Sequence, residues 1–301
     1  METLARSRRN RSPMGGRSIN LLYVPALALL ALFTIYPLIN GILLSFTNWN
    51  GYSPARSNVG LDNYVRLFSD ETFRLVLMNT FIYGIGSTII QQVLGLGLAL
   101  ALDRKMRGKN IARAIIYLPV LVSPVVMGTM YYLLFQYNNG AFNDIVVGLG
   151  GERVAWLSDS GAAVGIIVLV NSLQFAGISM IIYLAGLQSI PQMYYEASTV
   201  DGASPWEQFR YISIPLLQPA FATSIVLNLI GGLKLFDVIE VMTGGGPGYS
   251  TNSVSTLIGV SYFDNQSAGY ASGMGVVLFI IIVVFTLALN TLLNRRRLEQ
   301  Q

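Results

Sequence analysis

Six apolar runs, at 21–46, 77–102, 114–136, 162–188, 216–242 and 271–293, constrain this chain of 301 residues more than any other feature. A helix needs about 20 apolar residues to cross a hydrocarbon core of roughly 30 Å, and in lipid each backbone N–H and C=O must find its partner inside the protein. The runs therefore predict an all-α integral membrane protein with six transmembrane helices. Five of them contain no Asp, Glu, Lys or Arg, whereas the fifth carries Lys234, Asp237 and Glu240 toward its end. Composition agrees: 53% apolar and 11% charged residues is too oily for an ordinary soluble domain.

The basic residues give the expected orientation. Arg6, Arg8, Arg9, Arg11 and Arg17 precede the first run; Arg104, Lys105, Arg107, Lys109 and Arg113 lie between the second and third; Arg295, Arg296 and Arg297 follow the last. Short cytoplasmic loops accumulate Lys and Arg, so both termini are expected in the cytoplasm. The opposite loops carry only Arg56, Arg66, Arg74 and Arg153. The organisation that follows is a basic cytoplasmic N-terminus over 1–20, a first helix over 21–46 with no small-residue cleavage site after a short apolar core, a transmembrane domain over 75–294 and a cytoplasmic tail over 295–301. The net charge of +4 clusters at the edges of apolar runs, a lipid-bilayer pattern with no face laid out for nucleic acid.

The chain has no Cys and no His, which removes thiolate nucleophiles, Cys-ligated metals and the most versatile general base. No metal site and no catalytic set is expected. A phosphate-cradling loop needs G-x-x-x-x-G-K-[ST], and the glycine-rich stretches GLGG (148–151) and GGGPG (244–248) lack the Lys.

One segment between the fourth and fifth runs is densely patterned: YYEASTVDGASPWEQFRYISIP, residues 194–215. Pro191 suits a first helical turn, Met193, Ala197 and Val200 recur at helical spacing, and Gly202 suits a helix stop. Ser204, Pro205 and Glu207 then read as a capping box opening a second helix, with Trp206, Phe209 and Ile212 as its apolar stripe. Lipid-surface helices usually show Lys and Arg on the polar face, but this one shows Glu196, Asp201 and Glu207. That pattern suits docking into a groove of a cytoplasmic protein, with a resting place on lipid headgroups as the alternative.

The stretch EASTVDGASPWEQFRYISIPLLQP resembles the EAA loop of the transmembrane subunits of binding-protein-dependent ABC importers. Glu196, Ala197, Asp201, Gly202, Ala203, Phe209, Ile212 and Pro215 occupy its pattern positions, with Ser198 in place of the third letter. VGLDNYVRLFSD (59–70), YLAGLQSIP (183–191) and LFDVIEVMTGGGPGYST (235–251) are similar to further blocks of the carbohydrate branch, the last of them to the maltose-permease F-type partner. The resemblance implies the type I ABC importer permease fold, with an EAA coupling loop over 190–214. It implies a bacterial or archaeal cell membrane, a second, G-type permease subunit, two cytoplasmic ATPase subunits and an external solute-binding protein. ATP and Mg would be bound by the ATPase and no cofactor by this chain. Glu196, Ala197, Asp201, Gly202 and Ala203 would meet the ATPase.

A sugar path needs hydrogen-bonding groups within the membrane. Asn171 and Gln174 lie three apart, and Asn228 precedes Gly231 and Gly232, where a helix can loosen; buried amides and glycines equally serve helix packing. Lys234 and Asp237 are costly in lipid, are expected to line a cavity, and at a spacing of three suit a mutual ion pair. An ion-coupled secondary transporter predicts related halves and a midplane acid, and no repeat is visible. A membrane enzyme lacks any pair of acids at productive spacing within the runs.

Overall fold

The computed structural model describes residues 16–104 and 107–298, with side chains over 23–104 and 107–293. The expectations for residues 1–15, Lys105 and residues 299–301, and for the side chains of Arg17, Arg295, Arg296 and Arg297, lie outside the described residues. Four helices are individually long and apolar enough to cross a membrane: α1 (Tyr23–Leu44), α3 (Glu71–Asp103), α7 (Ser160–Ser189) and α13 (Ala268–Leu293). A short α2 (Asp62–Ser69) precedes α3. Two bent pairs bring the count to as many as six.

The run expected over 114–136 folds as α4 (Lys109–Leu121) and α5 (Pro124–Phe135), bent by 95°. Proline accounts for the break. Pro119 cannot donate to the carbonyl one turn back, and Pro124 starts α5 while forcing the residue before it out of the helical region. Val122 and Ser123 are accordingly extended, with ψ of 138° and 134°. A small helix α6 (Ala141–Gly148) follows.

The fifth run is interrupted twice. After the helical arm α8 (Gln192–Val200), α9 (Pro205–Leu216) meets α10 (Gln218–Leu233) at 64°. The helix then stops at Leu233, and α11 (Asp237–Met242) begins after three intervening residues, so the expected single span over 216–242 is a set of shorter pieces. The freed carbonyl of Leu235 accepts a 2.6 Å hydrogen bond from the Ser253 hydroxyl. Ser253 caps α12 (Val254–Gly259) and belongs to a connection that runs into the bundle. Thr251, Asn252 and Ser253 are buried there. Side chains of α3 hold them: the Asn79 amide donates to the Ser250 and Asn252 carbonyls, the Tyr83 hydroxyl donates to the Thr251 carbonyl, and the Thr80 hydroxyl accepts from the Val254 N–H.

α7 is the central helix. Of its most apolar window 61% is buried, against 0% for α1, whose last turns pack on α13. Lipid provides no hydrophobic drive between helices, so close packing by small residues has to supply the contact. α3 and α7 make the most extensive helix pairing, and at Gly95 an added Cβ would sit 2.3 Å from Ser179 Cβ and 3.0 Å from the Met180 backbone nitrogen. Gly232 of α10 approaches α3 as closely, where a Cβ would lie 2.8 Å from Gly84 Cα. Gly177 lies against the backbone of Ile116 and Tyr117 in α4.

Gly95→Val is therefore expected to force α3 from α7 and to destabilise the purified protein by about 1–3 kcal/mol, the usual range for overpacking. Gly41→Ala is the control, since nothing lies within 4 Å of its added carbon. Thermal unfolding in detergent checks this; equal midpoints for the two variants would show that the Gly95 crossing constrains nothing.

Candidate functional site

Two of the breaks, the α4–α5 joint and the interruption between Leu233 and Asp237, open onto one cavity of about 300 Å³. It is bordered by Gln91 of α3, Pro124 of α5, Asn171, Phe175 and Ile178 of α7, and Asn228, Gly231 and Gly232 of α10, and it is completed by Lys234, Phe236 and Asp237 around the second break. Asn171, Phe175 and Ile178 recur at helical spacing, which brings them to one face of α7. Six of the seven residues expected from sequence to line a path thus border one cavity: Asn171, Asn228, Gly231, Gly232, Lys234 and Asp237.

Gln174 lies elsewhere. At about 100° per residue it is turned roughly 60° from Asn171, away from the side taken by Phe175. Its Nε2 donates to the Val122 carbonyl at 3.4 Å, so it serves the α4–α5 joint. Gly231 and Gly232 also separate: nothing lies within 4 Å of a Cβ at Gly231, whereas Gly232 is packed on α3. Asn228 both borders the cavity and ties helices together, because its Nδ2 donates to the Ser179 hydroxyl at 2.6 Å and Ser179 also accepts from Ser224.

Lys234 and Asp237 are exposed to the cavity and do not pair. Among the described residues the ion pair is Arg153 with Asp144, at 4.0 Å. The expected spacing argument fails because the helix ends between the two residues: Phe236 has φ −133° and ψ −64°, which removes the one-turn geometry that pairing at three apart needs. Gln91 is the polar residue that sequence reasoning missed. Its Nε2 donates to the Asn171 carbonyl at 3.2 Å, while its buried Oε1 has no protein partner. A buried amide oxygen at a cavity wall is satisfied by water or a solute hydroxyl. An amide inside an apolar run is the signal that would have found it, as it found Asn171.

The arm over residues 190–214 is the second site. α8 ends at Val200, and Gly202, two residues on, closes the cap with φ +83°. The Ala203 N–H donates to the Ser198 carbonyl at 2.9 Å and the Gly202 N–H to the Thr199 carbonyl at 3.1 Å, the crossed pair of a Schellman cap. Ser204 and Glu207 then form the expected capping box, and the Ser204 hydroxyl and N–H hold the Glu207 carboxyl below its ordinary pKa range. Gln208 ties the halves of the arm by donating to the Thr199 hydroxyl at 2.9 Å, and Tyr195 shares a 2.9 Å hydrogen bond with Ser213. Glu196, Ala197, Asp201 and Gly202 are exposed and Ala203 is half-buried. The apolar positions Met193, Val200 and Trp206 are exposed too, Val200 at 89%.

Breaking a span frees backbone groups at a cost of several kcal/mol each in hydrocarbon, and that is tolerated where the irregular backbone borders a cavity or is buried in protein. Two such breaks facing one cavity that Asn171, Asn228, Lys234 and Asp237 border suit a subunit that passes a polar solute across a membrane. The chain belongs to the family of the binding-protein-dependent transport system inner membrane component, whose model matches residues 93–299. It is 33% identical over 267 residues to the trehalose/maltose transport system permease protein MalF of Thermococcus litoralis, covering 89% of this chain and 90% of that one. It is 34% identical over 281 residues to a probable starch degradation products transport system permease protein, AmyD, of Thermoanaerobacterium thermosulfurigenes, with 93% and 94% covered. Its fold is like that of a permease chain in the crystal structure of a bacterial alginate ABC transporter in complex with alginate pentasaccharide-bound periplasmic protein, with TM-score 0.81 and 25% identity over 93% of this chain and 94% of that one. This is a multi-pass inner-membrane permease of an ABC importer that works with a binding protein and with ATPase activity on separate subunits.

Because Lys234 and Asp237 do not pair, the effects of Lys234→Ala and Asp237→Ala on uptake by the reconstituted complex should multiply, adding within about 0.5 kcal/mol in a double-mutant cycle. A double variant that recovers transport relative to the worse single one would show that the two charges interact during turnover.

Proposed function

We propose that this chain forms half of the translocation path for a sugar, beside a G-type permease subunit and over two cytoplasmic ATPase subunits, and that residues 190–214 couple it to ATP hydrolysis. The observation that carries the coupling is the exposure of a preformed bend: Glu196, Asp201 and Gly202 are displayed on an arm whose conformation is already fixed by its own caps. Preorganisation of this kind lowers the ordering cost of docking. Exposed Met193, Val200 and Trp206 add apolar surface suited to a groove, and the exposed acids suit basic groups there. Both termini lie in the cytoplasm in this arrangement, as the Lys and Arg distribution favours.

The path runs through the cavity bordered by Asn171, Asn228, Gly231, Gly232, Lys234 and Asp237, with Gln91 and Phe175 added and with Gln174 acting from behind on the α4–α5 joint. Sugar as the cargo class is supported by the relatives, which are named for transport of trehalose or maltose and of starch degradation products. Amides and charges beside the faces of Phe175 and Phe236 are also what a dehydrated polyol requires.

Gly202→Asp tests the coupling. Nothing lies within 4 Å of its Cβ, so the variant has room; the cost is the left-handed φ and a new charge at the bend. Binding-protein-stimulated ATP hydrolysis and uptake in liposomes should fall at least tenfold while the variant's membrane level stays normal, and Gly202→Asn, which tolerates this φ better, should lose less. Normal stimulation with normal uptake in Gly202→Asp would make the arm a lipid-surface element.

A further inference from the structure

A second, separate pocket of about 330 Å³ lies where the α2–α3 junction meets the start of α13 and the chain around Tyr249 and Asn265. It shares no residue with the cavity. The loops that build it follow the first and fifth spans, which puts it on the external side in the orientation given above. Its centre is a fixed relay of three side chains. The Tyr270 hydroxyl donates to Asp70 Oδ2 at 3.0 Å, Asp70 Oδ1 accepts the Thr72 N–H at 2.8 Å, and the Arg66 guanidinium lies 4.6 Å from the centre of the Tyr270 ring. The carboxylate and the guanidinium are thus each held by protein, and the guanidinium has no hydrogen-bond acceptor among the described residues. Asn265, Ser267 and Tyr249 border the same space, and Tyr249 is held there at φ +67°.

We infer that this pocket is an external subsite for a neutral polyhydroxylated ring, which it meets before the cavity. Three features select that ligand class. A carboxylate with spare lone pairs accepts from ring hydroxyls, and a guanidinium with unused N–H groups donates to them, so each face of a polyol is answered. The two opposite charges cancel, which removes the preference for an anion that Arg66 alone would create. Tyr249, exposed at the pocket's edge, supplies aromatic surface for the C–H face of a ring, while the buried Tyr270 holds Asp70 and Arg66 in place. An acidic side chain of a docked protein, the other occupant a lone arginine suggests, would meet Asp70 in the same pocket.

The inference rests on sugar as the cargo class but concerns a site outside the path, so its test is binding and not transport. The full permease complex in nanodiscs, without the binding protein, is mixed with glucose and with maltose, and saturation-transfer NMR records the ring-proton signals. Both sugars should receive saturation, and the signal should fall at least fivefold in the pair Arg66→Ala and Asp70→Asn, of which the second keeps a side chain able to cap α3. Gly97→Ala, at a position that borders neither space and has nothing within 4 Å of an added Cβ, should leave the signal in place. No ring signal from the wild-type complex, or a signal unchanged by the Arg66 and Asp70 substitutions, overturns the inference. So does an intact sugar signal accompanied by weakened capture of the loaded binding protein, which would make the pocket a protein contact. Uptake of sugar by liposomes supplied with the binding protein judges the importer reading separately.

Discussion

The need to satisfy every backbone hydrogen bond in a medium without water governs this molecule. An unbroken helix meets that need by itself, and α3, α7 and α13 do so. Where the chain breaks, another element has to take up the freed groups. At the α4–α5 joint the Gln174 amide reaches the Val122 carbonyl; at the second break Ser253 reaches the Leu235 carbonyl. Ser253 is placed by a connection that Asn79, Thr80 and Tyr83 of α3 hold inside the bundle. The irregular backbone is therefore supported from two sides, and the cavity between the breaks exists because of that support.

The same helices that border the cavity carry the arm. α8 follows α7 after two residues, and α9 meets α10 at a single bend, so the arm over 190–214 is joined at one end to the helix of Asn171 and at the other to the helix of Asn228. Between those two helices Ser179, Ser224 and Asn228 form a buried hydrogen-bonded link, and Gly186 lets Leu217 and Ala220 come close. A displacement of the arm has no slack in which to be lost, since close-packed helices transmit shifts instead of absorbing them. The coupling proposed above needs only this covalent and packing continuity.

The arm was legible from sequence because its signals are local. A Schellman cap at Gly202 and a capping box at Ser204 and Glu207 depend on residues within a few positions of one another, and residue type decides them. The cavity was legible in part, since amides and charges in apolar runs are costly enough to need a reason. Gln174 was misplaced because a spacing of three does not decide which of two neighbouring faces of a central helix meets the cavity. Lys234 and Asp237 were expected to line a cavity and do; the mutual pair that their spacing also suited does not form, because pairing assumed a continuous helix and the helix ends between them, where a hydroxyl from Ser253, nearly 20 residues further on, takes up the Leu235 carbonyl.

Apolar runs, flanking basic residues and local caps determined that this chain is a helical membrane protein with an exposed bend between its fourth and fifth runs, for these follow from transfer free energies and short-range hydrogen bonds. Tertiary structure alone decided where the fifth run stops and restarts, which glycines are crossings and which are open wall, and which polar residues face a shared space. Those outcomes turn on contacts of α3 with α7 and with the connection before α12, between residues 80 and 171 positions apart in the cases of Gln91 with Asn171 and Asn79 with Ser250. A periodicity within one helix gives its own faces but not the identity of the neighbour that each face will meet.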